Sequence, residues 1–153
     1  MRAAYLRGLA VLALLLLAGC TLQSGPGEPG ASVDVYADLS ARLAAAQDAH
    51  AVVLDLWDRI IFGESVSCQE AITVPAPLAI PAAELARTPQ ADAIQAGLNA
   101  AIKLLRDSSD LWNIACADEH PVIPLELARE GRATALAAGD QLDEAAALLA
   151  AWP

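Results

Sequence analysis

At 153 residues with a formal net charge of −10, the chain has room for one domain and little else. A surface that acidic repels phosphate backbones, which excludes nucleic acid as a partner. Hydrophobic residues make up 56%, aromatics only 4%. Much of the apolar content is alanine, the strongest intrinsic helix former, and strand-like alternation of Val, Ile, Thr and Tyr is missing. The expected fold is all-α: a small bundle of about four helices approaching one another closely.

In chain order the first element is a leader. Arg2 and Arg7 form a basic start, and Leu9 to Ala18 is an unbroken apolar run. At about ten residues it has roughly half the length needed to span a bilayer. It closes on Leu17-Ala18-Gly19-Cys20. This layout resembles a bacterial lipoprotein signal peptide with its lipobox. The resemblance covers the leader alone, and no family is recognised for the domain that follows. It implies that residues 1–19 are removed and that Cys20 becomes the N-terminus, carrying a thioether-linked diacylglycerol and often an N-acyl chain. Each buried CH2 contributes about 0.8 kcal/mol, so two or three chains hold far more firmly than one. The alternative, an uncleaved signal anchor with an incidental cysteine, fits poorly with so short a run. Thr21 follows the cysteine, where an Asp often marks inner-membrane retention in double-membrane bacteria. The implied location is the cell membrane or the outer membrane, lipid-anchored and facing the extracytoplasmic side.

Loss of Arg2 and Arg7 with the leader takes the side-chain charge from −10 to −12. This disfavours a second, electrostatic attachment to anionic headgroups. The acidic face is read as a solvated surface that keeps the domain soluble and off the bilayer; attraction of cations or basic partners is the sharper alternative. Residues 20–32, with Gly25, Pro26, Gly27, Pro29 and Gly30, read as the lipidated N-terminus and a flexible tether. Residues 33–153 are the helical domain.

A first helix is predicted from about Val33 to Phe62. Tyr36, Leu39, Leu43, Ala46, His50, Val53, Trp57 and Ile60 form a seam at 3-4 spacing, as in a helical bundle. Leu54, Leu56 and Ile61 widen it. Asp38 with Arg42 and Asp55 with Arg59 are i,i+4 pairs, and Gly63 is a C-terminal stop. A long connection, Glu64 to Arg87, follows. Pro75, Pro77 and Pro81 favour an extended course, with room for a helical turn at Pro81–Arg87.

The second long helix begins with Thr88 as N-cap and Pro89 at the first helical position. It runs to about Asp118, with Ile94, Leu98, Ala101, Leu105, Ser108, Trp112 and Ala115 along its seam. A third helix is predicted from about Pro124 to Ala138, stopped by Gly139, and a fourth from the N-cap Asp140 to about Trp152. The stretch Gly139 to Ala145 is similar to the turn of a tetratricopeptide hairpin. A solenoid needs stacked repeats and none is visible, so the reading is an ordinary helical hairpin.

Cys68 and Cys116 remain after lipidation of Cys20. The leader implies export to an oxidising side, where two cysteines are usually joined. Their spacing fits neither a CxxC redox site nor a haem motif; a structural disulfide is expected, with a redox or metal pair as the alternative. Cys68 lies just past the first long helix and Cys116 near the end of the second. Joining them requires the two helices to run parallel, because a disulfide needs Cα atoms within about 7 Å. The chain must then travel back about 40 Å, which twenty or so extended residues can span at about 3.3 Å each.

His50 sits on the apolar seam. It is read as a structural core histidine, with a metal or haem ligand as the alternative; Val53 and Leu54 supply no second ligand on its helix. Asp118, Glu119 and His120 form either a weak metal site or a solvated helix end. Ser65 and Ser67 lack a nucleophile-elbow context, and no phosphate-binding glycine loop or HExxH helix occurs. Trp57 and Trp112 are read as core anchors. The functional expectation is a membrane-anchored extracytoplasmic lipoprotein, a non-catalytic binding or structural module of the cell envelope. The expected partners are the membrane, through Cys20, and an envelope protein of unspecified identity; no nucleic acid, cofactor or enzymatic activity is expected. The alternative is a small-ligand or metal-binding bundle lipoprotein with a pocket near His50 and the Pro75–Pro81 segment.

Overall fold

A computed structural model describes residues 34–117 and 122–152. The leader, Cys20, the tether and the Asp118-Glu119-His120 cluster lie outside the described residues. The protein is all-helical, with four helices and no strand among the described residues: α1 (Val35–Ile61), α2 (Ala82–Arg87), α3 (Pro89–Ala115) and α4 (Leu125–Ala150). One disulfide joins Cys68 to Cys116.

Helix α1 starts where the Asp34 carboxylate accepts the Ala37 N–H at 3.0 Å, satisfying one of the free first-turn donors. It stops as the composition predicts. Gly63 takes a φ of +81°, and its N–H reaches Ile60 O while that of Glu64 reaches Arg59 O. These are the two bonds of a Schellman ending, which glycine adopts without strain. Thr88 is the N-cap of α3, but its hydroxyl makes no capping bond. Its carbonyl accepts the Ala91 N–H instead.

The seam of α3 is buried from Ile94 to Trp112, including Ser108. On α1 the buried set is Val35, Leu39, Leu43, Ala46, Ala49, Val53, Leu56 and Trp57. Tyr36, His50 and Ile60, expected on the seam, stand at its edge: Tyr36 is exposed and the other two half-buried. A straight helix of 3.6 residues per turn drifts against a 3.5-residue spacing, so the ends of a long seam slide off the contact line at Tyr36 and Ile60; at the level of His50, mid-helix, the buried member is Ala49.

Helices α1 and α3 run parallel. Leu39 and Leu43 share a core with Ile94 and Leu98, and Val53 and Trp57 share one with Leu105 and Trp112. Helix α4 runs antiparallel to both: Gly131 meets Trp57, Gly139 meets His50, and Trp152 reaches Tyr36. Here the expectation of two helices in this region fails, because α4 is one continuous helix of 26 residues. Gly139 is not a stop and Asp140 is not a cap. Both glycines lie where a large α1 side chain meets the α4 backbone, and lacking a Cβ they let the helices close on those rings.

The connection from Cys68 to Pro81 forms a strap that returns along the α1–α3 groove. Val66, Ile72 and Val74 pack on the core near Trp57 and Trp112, and Leu78, Ile80 and Leu85 on the core near Leu39 and Leu98. The strap thus occupies the position a fourth long helix would fill. Extended backbone forms no hydrogen bonds with itself, so its polar groups need other partners. Four side chains supply them. Asn99 accepts from Leu78 N–H and donates to Leu78 O, at 2.8 and 2.9 Å. Gln95 accepts from Ile80 N–H at 2.7 Å. Arg106 donates to Pro75 O and Arg42 to Ala76 O. Arg42 therefore points at the strap; the expected pairing with Asp38 is not among the ion pairs of the described residues.

Candidate functional site

The most buried polar feature links all three long helices. Trp57 Nε1–H donates to Ser108 Oγ at 2.8 Å, and Ser108 donates to Gly131 O at 2.8 Å. Ser108 is fully buried. Trp112 meets Trp57 edge-to-face, with ring centroids 6.2 Å apart, a favoured aromatic geometry. With exposures of 0 and 2%, the two indoles are core anchors. The polar relay satisfies the donor that a buried tryptophan carries.

His50 is half-buried on α1, with its ring against Gly139 of α4. Its Nε2 is buried without a hydrogen-bond partner. This departs from the expected pattern of a core histidine bonded to one partner. An unsatisfied ring nitrogen in an apolar contact costs free energy, and the niche is closed by backbone. The groove beside the strap lies elsewhere: about 410 Å³, lined by Asp48, Val52, Thr73 and Pro75 among others, without His50. Of the Pro75–Pro81 segment, Pro75 lines this groove.

Cys68 and Cys116 have Cα atoms 5.5 Å apart and are disulfide-bonded, so neither is a free thiol. Nearby, Arg59 at the end of α1 holds Glu70 of the strap through two bonds of 3.0 and 2.9 Å, with Asp55 and Glu64 each 3.6 Å away. The bond to Arg59 pulls the Glu70 carboxyl below its ordinary range. The same contact pushes the guanidinium still higher. Asp58 pairs with Arg132 and ties α1 to α4. These ion pairs fasten elements together.

The two ends of the bundle differ. At one end, where residue 34 enters α1, Tyr36 and Trp152 stack edge-to-face with centroids 5.7 Å apart. They border a shallow cleft with Leu149 and Ala150, of about 360 Å³. The other end carries the disulfide and the exposed Phe62, Ile114, Val122 and Leu125. Sequence reasoning assigned Tyr36 to the core seam and gave Trp152 no role; its terminal position on the last helix was the available signal. Among the described residues there is no group of three or more His, Cys, Asp or Glu able to hold a metal. None of their helices is long and apolar enough to cross a membrane. No protein-family model matches the chain, and no curated protein and no solved structure matches it.

Proposed function

We propose that this protein is an extracytoplasmic lipoprotein, held through acyl chains on Cys20 to the cell membrane or outer membrane. Its helical domain serves as a non-catalytic binding or structural module of the cell envelope. The observation that carries this reading is the Leu17-Ala18-Gly19-Cys20 lipobox behind Arg2, Arg7 and a short apolar run. The Cys68–Cys116 disulfide supports it, because such bonds persist in exported domains.

Cys20→Ser tests the reading. The variant is expected to accumulate as an unprocessed precursor and to lose incorporation of a palmitate analogue during metabolic labelling. Equal labelling of the variant and the natural protein would refute the proposal. A second reading, a small-ligand or metal site, rests on the unpartnered Nε2 of His50. Native mass spectrometry with elemental analysis of the exported protein separates the two, since a stoichiometric ligand or metal lost in His50→Leu would favour the second.

A further inference from the structure

We propose that the Tyr36–Trp152 end of the bundle rests on the lipid headgroup layer, so that the domain stands on the membrane with its disulfide end outward. The proposal rests on the lipid anchor at Cys20 argued above. The chain leading from that anchor enters the domain at Asp34, on the same end as the aromatic pair. Fourteen peptide links separate Cys20 from Asp34. Fourteen links reach at most about 50 Å, little more than the length of the 27-residue α1. The end that Asp34 enters is therefore the part of the domain nearest the bilayer along the chain, and the disulfide end lies a full helix length further on.

The chemistry of the end fits that location. Tryptophan and tyrosine favour the boundary between headgroups and acyl chains, where an apolar ring and a polar tip are both accommodated. Tyr36 is 47% exposed, although its ring lies at the rim of a helical core. Half-buried Trp152 leans on it edge-to-face, and exposed Ala150 flanks the pair above the buried Leu149. The acidic Asp34 and Asp38 are exposed on the first turn of α1. They oppose an anionic lipid layer, so the contact is made by the rings against a zwitterionic surface. The whole-domain charge thus repels anionic lipid, while this one end still seats on neutral headgroups. Helix α1 is about 40 Å long, so Phe62, Ile114 and Val122 would stand at that distance from the lipid.

The molecule carries its own probe. Trp57 and Trp112 are buried, which leaves Trp152 as the tryptophan that lipid can reach. Full-length processed protein, with its acyl chains verified by mass, is placed in phosphatidylcholine vesicles containing lipids brominated near the head of the acyl chain. Bromolipid is expected to remove most of the Trp152 emission and to shield it from aqueous iodide. Trp152→Phe keeps the aromatic contact with Tyr36 and should abolish the bromolipid response, and anionic lipid should weaken it. Trp152 emission that ignores bromolipid but yields to iodide, in protein shown to be acylated, would overturn the docking and leave the anchor standing. A mass without acyl chains would overturn the anchor, and the docking with it.

Discussion

One methyl group at Gly131 should cost this protein more than its helix gains. Alanine improves helix propensity by up to about 1 kcal/mol, but the new Cβ would enter the ring of Trp57. That ring is fully buried and cannot step aside, so overpacking wins and Gly131→Ala is expected to lose about 2 kcal/mol net. Gly97→Ala is the counterpart. Its Cβ would find Ala145 Cβ at 3.8 Å, an ordinary contact, and stability should rise by up to about 1 kcal/mol. Urea unfolding of both variants checks the contrast, and equal shifts would contradict the packing described. Ser108→Ala should cost about 1–3 kcal/mol, because it strips Trp57 Nε1 of its buried acceptor. The same measurement reads that loss, and a neutral result would mean that water takes the place of the hydroxyl.

Between elements, the junction of α1 with the strap carries a pH dependence. Glu70 is held below its ordinary range by Arg59. Its ion pair therefore contributes fully above the unfolded value of about 4.3, and the contribution fades as pH falls through the lower folded value. Glu70→Gln should lower the melting temperature slightly at pH 7 and no longer do so in strong acid. A deficit that persists at the lowest pH would assign the effect to packing rather than charge. The disulfide fastens the same junction at a sequence separation of 48. The chain-entropy estimate for a loop of that size is about 4 kcal/mol, a large fraction of the stability of a small domain. Cys68→Ser with Cys116→Ser should approach that loss in denaturant unfolding. A loss under about 1 kcal/mol would show that the unfolded chain is already restrained.

For the whole molecule, the parallel run of α1 and α3 followed from two cysteine positions and a proline-rich connection. Distance alone forces the conclusion: joined cysteines fix which helix ends meet, and prolines mark a segment that must stay extended. The α3 seam was legible because its 4-3 spacing holds from Ile94 to Ala115, carrying the polar Ser108 inward with its apolar neighbours. What the sequence hid was the meaning of two glycines. Gly139 beside Asp140 carries the local signature of a helix break, yet the break does not occur, because the glycine admits a ring from α1. Only the tertiary partner distinguishes a stop from a notch. The polar contacts of the strap were hidden for a related reason. Asn99 and Arg106 lie off the apolar seam of α3, and nothing local announces that extended backbone will lie across them. His50 was placed one step too far inward, on a seam whose buried member at that level is Ala49.

The way the strap is held also bears on how this protein can diverge. Asn99, Gln95, Arg106 and Arg42 grip main-chain atoms of residues 75, 76, 78 and 80. Nearly every amino acid presents those atoms alike. Substitutions along the strap therefore keep the grip so long as an apolar side chain remains where the core needs one. Proline at position 78 or 80 is the exception, since it would remove the N–H that Asn99 or Gln95 accepts. The gripping side chains have no such latitude, because an amide that both donates and accepts at one peptide unit has few substitutes. In homologues, variation should gather on the strap while the polar positions of α3 that face it stay fixed, reversing the usual expectation that a loop's own residues are the ones constrained.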